Sequence, residues 1–464
     1  MTTFRQSTKI AVEAAALERW HLESAAFRRL TPPWERLEVV EQPSEIRDGA
    51  RVVVRMKIGL FWWTWVAEHQ DCRPGVGFSD VQVQGPFADW KHVHRFCGEG
   101  HRVSELSDEI AYRLPFGFAG NLLGAGLVKG KLERVFNYRH AVTKMDLERL
   151  ASEPQGDGRS MQVLVTGGTG MVGEALESFL SMRGHRVRRV TRNCSREGDV
   201  HWDPEAGILD LGEDEPVDAV VHLAGENIAG GRWNKKRKGR ILESRREGTR
   251  LLCETMAQRR QPPGVIVSAS GANYYATATE RPQDESAAGG EGFLAEVCQA
   301  WEGGTAVAER AGIRVVKLRL GVVLSPAGGV LAKMLPVFKM GLGGRLGSGT
   351  QRMPWIALDD VIDIIHRALR DERYAGAVNA VAPEVVENGK FTRELAQALR
   401  RPAAMPVPAS LLKLVLGRQM AEETLLVDLH LEPGKLRELA YPFRFPQIEG
   451  ALGYLLGIST PSDF

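Results

Sequence analysis

The chain has 464 residues, 43% hydrophobic and 25% charged, the balance of a globular protein with room for two or three domains. Sixty basic residues nearly match 58 acidic ones, leaving a net charge of +2, which gives no electrostatic reason to expect nucleic acid as a partner. No apolar run approaches the ~18 residues of a membrane span.

The opening residues, MTTFRQSTKIAVEAAALERW, break their apolar residues with charges and lack a signal-peptide core. Short helices are predicted near residues 13–30. RVVVRMKI then alternates Val52, Val54, Met56 and Ile58 against Arg51, Val53, Arg55 and Lys57, a half-buried strand with one wet face. The pattern continues through FWWTWVAEHQ, GVGFSDVQVQ, DWKHVHRF and SDEIAYRL. After them GNLLGAGLVKGKLERVFNYRH has helical spacing despite its glycines. This order of elements, with the phrase GPFADWKHVHRF, resembles the START-like (SRPBCC) helix-grip superfamily. The resemblance covers residues 1–150. It implies an α+β domain whose sheet curls around its last helix and holds an apolar ligand between them. Trp90, His92, His94 and Phe96 fall on one strand face. His92 and His94 offer two metal ligands, but no third is evident, although His69 and His101 exist. No metal is therefore expected, and the two histidines are read as lining the apolar pocket.

Residues 151–160, ASEPQGDGRS, read as a linker. From 161 to 385, short Val- and Ile-rich runs (MQVLVTGG, HRVRRVTR, DAVVHLAG, GVIVSAS, IRVVKLRLG) alternate with amphipathic segments. That is an α/β pattern, a doubly wound parallel sheet of the Rossmann type wrapped in helices. Residues 386–464 read as a small, mostly helical C-terminal domain, in which FTRELAQALRRP is a helix stopped by proline. The five cysteines (Cys72, Cys97, Cys194, Cys253, Cys298) are dispersed without metal spacing, which suits a reducing, cytoplasmic setting.

The chemistry is concentrated in the second region. VTGGTGMVG places Thr166, Gly167, Gly170 and Gly173 as TGxxGxxG between a predicted strand and a predicted helix. Glycines there let backbone N–H groups approach a pyrophosphate, and the helix N-terminus, at Met171 and Val172, adds partial positive charge. The second strand ends in Thr191-Arg192, where an NAD site usually has an acid for the ribose 2′-hydroxyl. Arg192 suits a 2′-phosphate instead. A charge-assisted bond of ~1.5–3 kcal/mol favours NADPH over NADH by roughly ten- to a hundred-fold. Leu223, Ala224 and Gly225 suit a loop lying against the cofactor, since small residues let backbone come close. Arg245 stands out in the basic helical run RWNKKRKGRILESRREGT, the rest of which is read as a solvated face.

TGGTGMVG, HLAGENIAGGRW, ESRREGT, SGANYY, FLAEVCQAWE and QRMPWIALDD, in this order, closely resemble the epimerase-family, YfcH-type branch of extended short-chain dehydrogenases. VAPEVVENGKFTRELAQALRRPAAMPVPA resembles that family's C-terminal domain. The resemblance implies NADP(H), with contacts at Thr191-Arg192, Leu223-Ala224 and Arg245, and a small substrate, such as a sugar nucleotide. It also exposes a gap. Such enzymes use a serine on the strand that here reads VIVSAS, then a tyrosine and a lysine on the next helix. Ser268 and Ser270 are present. Phe293 and Val297 stand where the tyrosine and lysine belong, and no tyrosine lies between Tyr275 and Tyr374, no lysine between Lys238 and Lys317. Tyr275, with Tyr274 beside it, is the nearest substitute proton donor, and Glu296 and Glu302 are read as structural. Arg345, Gln351 and Arg352 lie in a glycine-rich loop able to meet an anionic group. Two readings stay open: an atypical NADP(H)-dependent oxidoreductase or epimerase, and a non-catalytic, NADPH-dependent sensor or carrier of the apolar ligand. A homodimer is expected by analogy with other short-chain dehydrogenases.

Overall fold

The computed structural model describes residues 1–100, 102–115, 117–152 and 159–463, with the side chains of 117–123 left aside. It contains two compact units: Met1–Arg159 with Gly453–Phe464, and Ser160–Leu452. Residues 386–464, read as one C-terminal domain, are therefore divided between the two.

In the first unit, strand β1 (Thr2–Ile10) leads into helices α1 (Ala14–Leu22) and α2 (Ala26–Leu30). Strands β2 (Leu37–Glu41), β3 (Arg51–Ile58), β4 (Phe61–Arg73), β5 (Gly77–Gln84), β6 (Asp89–Gly98) and β7 (Ser104–Arg113) follow, and α3 (Gly117–Ser152) ends the run. The seven strands form one antiparallel sheet, ordered β1-β7-β6-β5-β4-β3-β2. Val54 of the alternating run is buried and Arg51 and Arg55 are exposed. Ile110, Tyr112, Leu132 and Phe136 form an apolar core between β7 and α3. The charge-broken opening gives no strand signal, yet Thr2–Ile10 pairs along its whole length with β7. Its inward positions include Gln6 and Thr8, which bond Asn137 and His140 of α3, so polar residues occupy what periodicity expects to be apolar. The expectation for His92 and His94 is corrected here. Both are buried beside Phe78 and Phe136, but their ring nitrogens face Asp108 and Asp80 rather than an open apolar pocket.

The second unit begins with β8 (Gln162–Thr166), α4 (Met171–Ser181), β9 (Arg186–Thr191), β10 (Val200–Asp203), β11 (Ile208–Leu209) and β12 (Ala219–His222). It continues with α5 (Lys235–Ala257), β13 (Val265–Gly271), α6 (Phe293–Gly303), α7 (Ala306–Arg310), β14 (Arg314–Leu320), β15 (Val322–Leu324) and α8 (Gly329–Lys339). The last pieces needed here are β16 (Arg352–Met353), β17 (Trp355–Ala357), α9 (Leu358–Arg370) and β18 (Gly376–Ala380). The main sheet runs β11-β10-β9-β8-β12-β13-β14-β18 and is parallel from β10 to β18. Every residue of β12 is buried, because helices cover both faces of such a sheet. Val163, Val165, Val221 and Val267 pack against α4 and α9 on one face. Leu164, Val220 and Ile266 pack against α5 on the other. Buried Asp360 of α9 accepts hydrogen bonds from the Tyr441 hydroxyl and the amides of Arg444 and Phe445, which ties the following helical segment to the sheet. Among the described residues, no helix is long and apolar enough to cross a membrane.

Candidate functional site

The strand order reverses between β8 and β12, and in doubly wound sheets the crevice at the strands' carboxyl ends there takes the ligand. At this end β8 finishes on Thr166 and the chain turns into α4. Gly167 has a φ of 70°, and a Cβ on it would stand 2.8 Å from the carbonyl carbon of Leu223. A Cβ on Gly173 would meet Gly167 O at 2.4 Å. The turn therefore folds back onto the first turn of its own helix, and only glycine permits it. Gly170 is the N-cap of α4 and carries no side-chain cap, so the helix presents its first N–H groups to an anion. Met171 and Val172, both half-buried, open the helix.

The Thr166 hydroxyl accepts from the amides of Leu223 and Ala224, at 3.2 Å each. Its own proton then goes to Nδ1 of His222, 2.7 Å away, and Nε2 of His222 faces the Thr249 hydroxyl at 3.0 Å. Burial lowers the His222 pKa to about 3, so the ring stays neutral and holds this arrangement. Sequence reasoning named Thr166, Leu223, Ala224 and Gly225 and passed over His222. The available signal was a histidine inside the otherwise apolar strand AVVH.

Arg245, on α5, is buried. Its guanidinium lies 4.6 Å from the Trp301 ring centroid, and Nη1 donates to the carbonyls of Glu226 and Ile241, at 3.1 Å each. A Cβ on Gly225 would stand 2.8 Å from that guanidinium. Burial lowers the Arg245 pKa to about 10, which still leaves a cation at neutral pH. Its Nε is buried with no hydrogen bond, an unmade bond that costs ~1–3 kcal/mol. The glycine cradle and this unsatisfied cation fit the phosphate-bearing side of a dinucleotide.

Thr191 ends β9, half-buried, and Arg192 is exposed at the start of the next loop. The buried arginine of the strand is Arg189, which packs on Gly168 and makes a two-point pair with Asp199, at 3.1 and 2.9 Å. Asp199 also accepts the amides of Ser195 and Arg196. These bonds shape the loop that carries Arg192.

The region expected to be catalytic is a closed network. The Ser270 hydroxyl donates to Glu302 at 2.8 Å. Arg319 of β14 clamps the same carboxylate, Nε to Oε1 at 2.8 Å and Nη2 to Oε2 at 2.9 Å. Its Nη1 donates to the Tyr275 hydroxyl at 2.7 Å, and that hydroxyl donates to Asn379 Oδ1 at 2.5 Å. Tyr275 is 1% exposed, and burial pushes its pKa up to about 12. The Tyr275 proton, expected to be given to a substrate, is held by Asn379 in this structure. Ser268 is buried, with one long contact to Ala269 O at 3.4 Å. Phe293 and Val297 pack into an apolar cluster with Ile241 and Leu294. Glu296 is exposed, and Tyr274 lies beneath the Arg319 guanidinium, 3.5 Å from its ring centroid. Arg319 was missed by sequence reasoning. A charge inside the apolar run IRVVKLRLG flags a buried pair.

Next to this network is a cavity of about 140 Å³, with Asn273, Gln351, Arg352, Asn388 and Thr424 set among apolar residues such as Leu320, Met353 and Phe391. Arg352 is neutralised there by a two-point pair with Asp428, at 2.8 and 2.6 Å, and also donates to His430 Nδ1 at 2.6 Å. Gln351 donates to the Leu346 and Leu425 carbonyls, and Arg345 to the Ser348 carbonyl. The expected anion-meeting trio is thus engaged in holding its own loop.

Sheet order and glycine turn together define an extended short-chain dehydrogenase fold. The NAD dependent epimerase/dehydratase family matches residues 163–380, and a Domain of unknown function (DUF1731) matches residues 407–455. The chain is 38% identical to the human epimerase family protein SDR39U1 over 297 residues, 63% of this chain and 98% of that protein. It is also 38% identical to epimerase family protein MT2273 of Mycobacterium tuberculosis (strain CDC 1551 / Oshkosh) over 293 residues, 63% of this chain and 96% of that one. The chain belongs to the epimerase family. Among solved structures, the nucleoside-diphosphate sugar epimerase from Corynebacterium glutamicum is 31% identical, with a TM-score of 0.80, covering 99% of this chain and 91% of its own. Human SDR39U1 (isoform2), solved with NADPH, is 36% identical with a TM-score of 0.60, covering 64% and 99%.

Proposed function

We propose that this chain is an NADP(H)-dependent oxidoreductase or epimerase that acts on a small substrate without the usual tyrosine and lysine. The observation that carries this reading is the glycine turn packed against Leu223, with the buried Arg245, whose Nε has no hydrogen bond, against Gly225 of the same loop as Leu223. Thr166, Gly167, Gly170, Met171, Val172 and Gly173 cradle the pyrophosphate, Leu223, Ala224, Gly225 and Arg245 line its other side, and Thr191 and Arg192 take the ribose and its 2′-phosphate. The bound cofactor supplies or accepts a hydride. The NADPH bound to human SDR39U1 supports the choice of cofactor. The cavity beside Asn273 is the substrate's place. About 140 Å³ has room for one six-membered ring, by the measure on which a ~150 Å³ cavity admits benzene, and a sugar of a sugar nucleotide meets that limit. Positioned proton transfer contributes ~10²–10⁴ in rate. With Ser270 and Tyr275 held in the Glu302–Arg319 network, turnover is expected to be slow. The second reading, a cofactor-dependent sensor or carrier without catalysis, is favoured by the apolar packing of Phe293 and Val297.

Fluorescence titration with NADPH and, separately, NADH tests the shared part of both readings. Tight NADPH binding with weaker NADH binding is expected. Binding of neither cofactor would end both. Oxidation of bound NADPH by carbonyl compounds then separates them, because the carrier produces none.

A further inference from the structure

The interior of the first unit holds a second constellation that the nucleotide site does not use. Sheet register assembles it. Asp80 of β5 lies directly opposite His92 of β6 and opposite His69 of β4, and His94 of β6 lies opposite Asp108 of β7. Directly opposed residues bring their side chains together on one face. Asp80 Oδ2 stands 3.5 Å from His94 Nε2 and 3.9 Å from His92 Nδ1. One donor atom from each of the three lies within 4.8 Å of the other two. Around a tetrahedral zinc ion with bonds of ~2.0–2.1 Å, neighbouring donors stand ~3.3–3.4 Å apart. The two carboxylate–imidazole separations exceed that spacing by about 0.1–0.6 Å.

The far sides of the rings are also arranged for a metal. His92 Nε2 faces Asp108 Oδ1 at 2.8 Å, and His94 Nδ1 faces the same oxygen at 2.7 Å. The other Asp108 oxygen faces His140 Nε2 at 2.7 Å, and His140 in turn faces the Thr8 hydroxyl at 2.8 Å. Asp80 Oδ1 faces His69 Nδ1 at 2.5 Å. Metal-bound histidines almost always give their second N–H to a carboxylate, a backbone carbonyl or water, and here a carboxylate is in place. Close approach is not matched by hydrogen-bond geometry: His69 Nδ1, Asp80 Oδ1 and His94 Nδ1 are buried and make no properly angled hydrogen bond. Most buried polar groups have a partner, and an ion is one of the explanations for those left without. Phe78 stacks 4.5 Å from His94 and Phe136 sits edge-on 5.2 Å from His92, giving a dry wall. The Asp80 side chain retains 19% exposure, which leaves an entry.

We propose that Asp80, His92 and His94 bind one divalent transition-metal ion, zinc by its donor set, with a fourth position open to solvent or to a ligand inside the unit. Asp108 and His69 are positioning residues that orient the three ligands.

The test uses the full chain without an affinity histidine tag. Cys97 and Cys194, the exposed thiols, are changed to serine so that no exposed thiolate competes. After chelation, Zn²⁺ is added and bound metal is counted by mass spectrometry; Co²⁺ is added in parallel and its visible absorption recorded. One ion per chain and the intense bands of four-coordinate Co²⁺ are expected. Asp80→Asn and His94→Gln should abolish binding, and Asp108→Asn should weaken it about 10- to 100-fold. If the chelated parent takes up no Zn²⁺, the constellation is an ionic cluster only and the proposal fails. Full stoichiometry in His94→Gln also refutes it. Should the variants fold poorly, the Co²⁺ spectrum of the parent decides alone, since six-coordinate or absent bands overturn the assignment.

Discussion

Glu302→Gln probes the network that occupies the catalytic region. Glu302 receives one hydrogen bond from Ser270 and two from Arg319, and the two charged side chains are 10% and 5% exposed. Glutamine keeps the shape, removes the charge and turns an N–H₂ toward a guanidinium that already donates. Two charge-assisted bonds at ~1.5–3 kcal/mol each give roughly 3–6 kcal/mol, and truncating one partner of a buried pair costs about 3–5 kcal/mol. Arg319 keeps its bond to Tyr275, so a loss near the lower figure, about 3 kcal/mol, is expected. The assay is calorimetric unfolding, following the transition that added NADPH shifts upward. The double change Glu302→Leu with Arg319→Met should recover part of the loss, because no buried charge is left alone. Glu302→Gln within about 0.5 kcal/mol of the parent, or single changes that add within about 0.5 kcal/mol, would refute the picture of a dry, coupled network.

The nucleotide site offers further tests. Arg192→Asp should reverse the preference between NADPH and NADH in titration, and an unchanged ratio would remove Arg192 from the site. Gly173→Ala puts a carbon 2.4 Å from a backbone oxygen and should weaken NADPH at least about tenfold by spoiling the anion cradle. Gly239→Ala, in α5, meets nothing within 4 Å and should leave binding unchanged while stabilising by ~0.5–1 kcal/mol. Tyr275→Phe leaves Asn379 Oδ1 and Arg319 Nη1 without their shared partner. It should cost ~1–3 kcal/mol and leave turnover intact, whereas a turnover loss above about a hundredfold would return Tyr275 to the chemistry. His222 gives a pH signature. Its native pKa is about 3 because of burial, and the unfolded value is ~6.5. Below ~6.5 the unfolded chain takes a proton that the native chain refuses. The stability contributed above that pH is therefore lost as pH falls toward 3, by about 2 kcal/mol at pH 5. Unfolding measured at pH 7 and pH 5 should show this slope reduced in His222→Gln.

The glycine turn was legible because its requirement is local. Gly167 and Gly173 are fixed by contacts within or next to one strand–turn–helix unit, and TGxxGxxG states that requirement in eight residues. The sheet was legible for a similar reason, since strands covered on both faces are rich in Val, Ile and Leu. Tyr275 was not legible, because its burial depends on Arg319 and Asn379, placed beside it by strands that follow much later in the chain. His92 and His94 could be put on one face by alternation alone, but Asp80 enters only through the register between β5 and β6. The strand Thr2–Ile10 was hidden by the same polar interior, because between Phe4 and Ile10 its inward face carries Gln6 and Thr8, which meet Asn137 and His140.

The end of the chain completes the first unit. Arg134 of α3 donates to the Leu456 carbonyl, Asn137 to the Gly457 carbonyl, and Tyr138 rests against the Tyr454 ring at 5.1 Å. During synthesis, residues 1–159 leave the ribosome first, and domains begin to fold as they emerge. The part of α3 that meets Tyr454, Leu456 and Gly457 is covered only once 160–452 has been made. Truncation at the far carboxyl end should therefore be felt first in the amino-terminal unit.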